Sequence, residues 1–131
     1  MKKSERAAEL YKGGFNCAAA VLAEFCEEYD LDLDLAFKLT NGMGGGFLEG
    51  DICGALSAAI LVVGLKYGHS VKGDHGANLN CYAKTRQLID AFKKEHGAIT
   101  CRRLLAGKDD SEEERRRMCT GFIKSAVDIL E

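Results

Sequence analysis

Six cysteines are the residues best able to do chemistry in this 131-residue chain: Cys17, Cys26, Cys53, Cys81, Cys101 and Cys119. No C-x-x-C occurs. That excludes the thioredoxin-type dithiol motif, the zinc ribbon and finger spacings, and the C-x-x-C-H haem attachment. Three of the cysteines sit just after residues that cap helices well. Cys17 follows Asn16, Cys101 follows Thr100, and Cys53 comes two residues after Asp51. A helix N-terminus carries about half a positive charge. Such a field favours the thiolate, which is both the nucleophile and the metal ligand. These positions therefore suit either redox thiol chemistry or metal ligation. Cys119 differs, lying on a helical stripe with Phe122, Ile123, Ala126 and Leu130. Cys26 falls about 180° round a helix from Cys17, so the two do not readily serve one site. Cys26 and Cys81 read as small buried or half-buried hydrophobes.

The stretch GGGFLEGDICGALSAA, residues 44–59, invites a phosphate-loop reading and fails it. No lysine follows the last glycine, the third glycine of G-x-G-x-x-G is missing, and no strand precedes the loop. Glu49 and Asp51 would repel an anion at the mouth of the following helix. The glycines read as a connector that permits positive φ and close backbone approach. A hydrolase is also poorly supported, with no G-x-S-x-G and no H-E-x-x-H. His69 and His75 lie in a polar loop with no diagnostic ligand spacing. His96 falls at a helix C-terminus, where the dipole favours its charged form.

The elements that must position these residues are helical nearly throughout. The patterns predict helices over 4–12, from Asn16 through a stripe of Val21, Leu22, Phe25 and Tyr29, over 34–40, over about 52–66 capped by Asp51, over 78–96 ended by Gly97, over 101–105 capped by Thr100, and from a Ser111–Glu114 capping box to the C-terminus. Two i,i+4 pairs, Glu112–Arg116 and Glu113–Arg117, suit the last helix. The helix over 52–66 is apolar on all sides, as at the middle of a bundle. The expected fold is all-α: a single domain over residues 1–131, an irregular bundle of five to seven helices around that buried helix.

The bulk properties narrow the setting. Net charge is -2, so no strong basic field calls for nucleic acid or an anionic membrane. The apolar run over 52–65 falls short of the roughly 20 residues of a membrane span. The start, MKKSERAAELYKGG, lacks the apolar segment of a secretory signal. A soluble, cytoplasmic protein is expected, and there a disulfide framework is disfavoured.

The cysteine arrangement resembles a family of small redox-active proteins known by its pattern as the C-GCAxxG-C-C family. FNCAAAVL supplies Cys17; GDICGALSAAILVVGLKYG supplies Cys53 with Gly54 and Ala55; GAITCRRLL supplies Cys101; and MCTGFIKSAVDIL supplies Cys119. The closing glycine of CGAxxG is here Ala58. The resemblance implies a redox or electron-transfer protein whose site is Cys17, Cys53, Cys101 and Cys119, with Gly54 beside it. A related domain in the split-Soret type of cytochrome c holds an iron–sulfur cluster through cysteines. By that analogy the four could hold a 2Fe–2S cluster, for which four thiolates is the required number, or another thiophilic metal. A redox partner protein is implied, and a homodimer is consistent with the base rate for soluble proteins. Two competing readings remain: a structural zinc site, disfavoured because the ligands do not come in near pairs, and a helical adaptor with incidental thiols.

Overall fold

Most helix starts are set by a single side chain that accepts a backbone N–H three residues on. In the computed structural model, which describes residues 1–131, Asn16 takes the Ala19 N–H at 2.8 Å and opens α2 (Cys17–Ala23). Asp32 takes Leu35 N–H at 2.9 Å and opens α3 (Leu33–Thr40). Asp74 does the same for α5 (His75–His96) with Ala77 at 3.0 Å, and Thr100 for α6 (Cys101–Leu104) with Arg103 at 3.3 Å. Ser111 opens α7 (Glu112–Leu130) by accepting from Glu114 at 3.2 Å. Two further helices, α1 (Lys3–Lys12) and α4 (Gly54–Tyr67), complete an all-α bundle with no strands.

The core forms around α4, which packs against α2, α5 and α7; α1 lies on α7 and α2, and α3 lies on α2. Its α4 residues Ala55, Leu56, Ala58 and Ala59 are fully buried. Ala18, Ala19 and Ala20 of α2 are buried as well. Small side chains on both helices let their axes approach closely. The buried methyl of Ala58 shows that alanine is accommodated where the motif has its closing glycine. Larger side chains fill the far side: Phe92 from α5 and Ile123 and Val127 from α7. No helix is long and apolar enough to cross a membrane.

The structure corrects several sequence expectations. The second helix does not continue to Tyr29. It ends at Ala23, and successive bonds tighten to the i→i+3 pattern, from Glu24 N–H to Val21 through Cys26 N–H to Ala23. Lys3 Nζ takes the freed Glu24 carbonyl at 3.0 Å, and Arg6 pairs with the Glu24 carboxylate at 2.9 Å. The long helix begins at His75 rather than 78, because Asp74 supplies the cap. The central helix begins at Gly54, not 52, for a non-local reason given below. Nor is it buried on all sides: Leu61 and Leu65 are 41% and 38% exposed, on a side that no other helix covers. Arg116 pairs with Glu112 at 3.2 Å as expected, but Arg117 takes Glu114 rather than Glu113.

Candidate functional site

Cys53 and Cys101 are brought together by backbone alone. Ile52 and Thr100 form an antiparallel bridge. Flanking it, Cys53 N–H donates to the Ile99 carbonyl and Cys101 N–H to the Asp51 carbonyl, both at 2.8 Å. Each cysteine directly follows a bridged residue, and each then enters a helix. This pairing pulls residues 51–53 into an extended path, so Asp51 does not cap α4 as its type suggests. Its carboxylate accepts only the next N–H, that of Ile52, at 2.9 Å. Cys53 itself occupies the N-cap position.

Cys17 is placed by Asn16 and by the glycine loop. While its Oδ1 caps α2, the Asn16 Nδ2 donates to the carbonyls of Thr40 and Asn41 at 3.0 and 2.9 Å. One side chain thus joins the head of α2 to the end of α3. After a short 3₁₀ turn over Asn41–Met43, Gly45, Gly46, Phe47 and Leu48 all adopt left-handed conformations, with φ of 62°, 63°, 58° and 63°. The left-handed region costs an L-residue roughly 1–2 kcal/mol, so Phe47 and Leu48 are strained. Gly46 has no alternative, since a Cβ there would lie 2.4 Å from the Asp51 carbonyl oxygen. The turn directs the Gly45 N–H at the Cys17 sulfur. On the other side, a Cβ on Gly54 would stand 2.5 Å from Cys17 Sγ and 3.0 Å from the Met43 carbonyl. Gly54 is therefore the gap into which the Cys17 sulfur fits.

Cys119 reaches the same place from α7. Cys17, Cys53, Gly54, Cys101 and Cys119 all line one cavity of about 200 Å³. Cys53 is 5% exposed and the other three cysteines are half-buried. Tyr11 and Arg115 line the cavity too. Neither was legible in the sequence: Tyr11 belongs to no motif, and Arg115 is hidden in a charged run. Cys26 is buried elsewhere, its thiol donating to the Leu22 carbonyl at 3.4 Å, and Cys81 packs half-buried against the core. All six cysteines are free thiols.

The histidines stay away from the cavity. His69 braces its loop, with Nδ1 accepting Val71 N–H at 3.0 Å and Nε2 lying 2.6 Å from Asn78 Oδ1. His75 is exposed at the start of α5. His96 is not a cap: its ring packs between Phe92 and Phe122, with centroids 4.6 and 5.0 Å away, and its buried Nε2 has no hydrogen-bond partner. The α5 terminus is closed by Gly97, whose N–H donates to the Lys93 carbonyl at 2.7 Å.

Burial, rather than the helix dipole, sets the thiol electrostatics. Desolvation pushes Cys53 up to about 12, helped by Cys17 and Cys101 and opposed by the N–H groups of Leu56 and Ala55. Cys17 is raised by desolvation and by Cys119 and Cys101, against the N–H groups of Ala18 and Gly45. Cys119 is raised by desolvation, while the Tyr11 hydroxyl and the Arg115 guanidinium pull it down. Desolvation also raises Tyr11, with Cys119 and Cys17 adding to it. The expectation that helix N-termini lower the pKa of Cys17 and Cys53 is thus reversed. The N–H groups are present, but the cavity removes the water that would solvate a thiolate. The charging of Cys17, Cys53 and Cys119 is opposed by neighbouring sulfurs, so a cation among them is the natural counter-charge.

As arranged here, no three Cys, His, Asp or Glu side chains close on a single metal ion. The sulfurs instead surround a space large enough for a group of several atoms. This cysteine framework is matched by a family model described as "Putative redox-active protein (C_GCAxxG_C_C)" over residues 15–131. The chain belongs to that family of redox-active proteins. No curated protein and no solved structure matches it.

Two glycines of α4 give opposite expectations. Gly54→Ala forces its methyl against Cys17 Sγ and should cost about 1–3 kcal/mol, as overpacking does. At exposed Gly64 a Cβ meets nothing within 4 Å, and Gly64→Ala should stabilise by about 0.5–1 kcal/mol. Urea unfolding of both variants checks the pair. The raised thiols also fix a pH dependence for the reduced, metal-free protein. Unfolded cysteines ionise near pH 8.5, whereas folded Cys17, Cys53 and Cys119 hold their protons to higher pH. The unfolded state then binds fewer protons, so these thiols make stability fall as pH rises from about 8.5 towards about 12, and their contribution is constant below that window. Urea midpoints at about pH 7.5 and about pH 10 should show the fall, and Cys53→Ser should lessen it.

Proposed function

We propose that the protein is a cytoplasmic electron-transfer protein in which Cys17, Cys53, Cys101 and Cys119 together hold a 2Fe–2S cluster. The observation that carries this reading is the convergence of these four cysteines, from four different segments, on one cavity of about 200 Å³. The donor set suits the group: four thiolates and no histidine or carboxylate beside them. When bound, the cluster would supply a one-electron couple, exchanged with a partner protein.

The chain's own residues do the rest. The four thiols must lose their protons for binding, and the bound cation offsets the desolvation that raises Cys17, Cys53 and Cys119. Gly45, Ala55 and Leu56 aim N–H groups at the sulfurs of Cys17 and Cys53, and such bonds tune the potential of a sulfur-ligated group. Arg115 adds positive charge beside Cys119. Gly54 keeps the Cys17 sulfur seated. A structural zinc site is less well supported, because no three donors close on one ion.

Protein purified without oxygen should be brown, contain iron and sulfide in equal amounts, and lose its colour in Cys53→Ser. Stoichiometric zinc without colour would replace this reading with a structural site. A colourless, metal-free protein would leave dithiol chemistry of the same cysteines.

A further inference from the structure

We propose that a hollow between the ends of α4 and α7 and the middle of α5 binds a small amphiphilic carboxylate, with its head on Lys66 and Lys84 and its short apolar tail inside. The hollow shares no residue with the four-cysteine cavity, so the proposal does not depend on what the cysteines hold.

The hollow has a volume of about 150 Å³. Val62 and Val63 of α4, Leu88 of α5, and Ile129 and Leu130 of α7 give it an apolar wall, and the first three are buried. One water needs roughly 10–15 Å³ of such space, so several groups of that size fit. The polar side chains of the lining are Tyr29, Lys66, Tyr67, Lys84 and Gln87. All of them can donate hydrogen bonds, and no carboxylate is among them. An apolar hollow with a few convergent polar groups is the usual form of a small-molecule site.

The charges identify the ligand class. Lys66 Nζ lies 5.3 Å, and Lys84 Nζ 5.1 Å, from the centroid of the same Tyr67 ring. Neither lysine belongs to any of the chain's ion pairs. Lys66 stands in the last turn of α4, where the helix dipole favours a cation. Lys84 has no such reason for its place. It is half-buried within α5, and its neighbours one turn away, Asn80, Cys81, Gln87 and Leu88, include no acid. The side chains of Tyr29, Lys84 and Gln87 make no hydrogen bond within the chain. Attraction to the ring holds the ammonium groups. It leaves two positive charges unanswered at the edge of an apolar hollow. A carboxylate meets both through charge-assisted hydrogen bonds. Its tail removes the apolar wall from water. An inorganic anion would leave that wall unused, and a neutral alkyl compound would leave the charges unmet.

Hexanoate is the probe. Added to full-length protein purified without oxygen, at neutral pH, it should shift the amide signals of residues 62–67, 84–88 and 129–130 along a saturating curve. Lys84→Met removes the charge and keeps an unbranched stem. It should weaken hexanoate binding about tenfold, the effect of losing one hydrogen bond to a charged group. Lys66→Met should weaken it similarly, and Lys84→Arg, which keeps the charge, should restore most of the loss. Hexanol lacks the charge and acetate lacks the tail, so each should bind at least about tenfold more weakly than hexanoate. The proposal is overturned if hexanoate gives no saturable shifts, or if the shifts centre elsewhere on the molecule. It is equally overturned if both methionine variants bind hexanoate as the wild type does. Hexanol binding as tightly would leave an apolar hollow without charge selection. Acetate binding as tightly would leave an adventitious ion only. Either result contradicts the assignment.

Discussion

The antiparallel bridge between Ile52 and Thr100 is the constraint on which the site depends. Its two flanking hydrogen bonds set Cys53 and Cys101 side by side and determine where α4 begins. It also governs the glycine loop. Gly46 lies so close under the Asp51 peptide that only a residue without Cβ fits. The left-handed turn that begins at Gly45 is thus packed against the bridge, and that turn aims an N–H at Cys17. Arg102, next to Cys101, donates to the Glu49 carbonyl at 2.9 Å and closes the loop from the other end. Two backbone bonds contribute only about 1 kcal/mol each. The bridge is held by what surrounds it: the buried head of α4, and α2 fixed by Asn16. The strain at Phe47 and Leu48 persists because this surrounding structure over-determines their conformation.

The chemistry follows from enclosing sulfur. Metal-free, the cavity disfavours thiolates, and the N–H groups directed at Cys17 and Cys53 offset only part of the desolvation. These same groups are what a charged, sulfur-bound centre needs around it. A site that resists ionisation when empty and offers four donors to a cation couples occupancy to proton release. It also couples occupancy to stability, since whatever binds the folded state alone stabilises it.

Local signals in the sequence were reliable where local physics decides. Asn16, Thr100 and Ser111 cap helices as their types suggest, Gly97 ends α5 in a left-handed conformation, and helical periodicity anticipates an all-α bundle with an apolar helix at its centre. The failures are non-local. Asp51 before an apolar run looks like a cap, but pairing with a segment far along the chain takes its backbone away. Residues through Tyr29 keep a helical stripe, yet contacts from α1 reach the chain at Glu24, where the helix ends. The dipole argument for Cys17 and Cys53 holds for an exposed helix end and is overridden by burial, which no spacing reveals. The four signature cysteines were legible through resemblance; Tyr11 and Arg115 enter the cavity only because α1 and α7 pack together.

The most direct test of the central claim, that four cysteines from separate segments form one site, is a crystal structure of protein purified and crystallised without oxygen, with anomalous data at the iron edge. Anomalous density should lie inside the cavity, bonded to the sulfurs of Cys17, Cys53, Cys101 and Cys119 of one chain. Iron bound elsewhere, or through a set that omits any of the four, would contradict it.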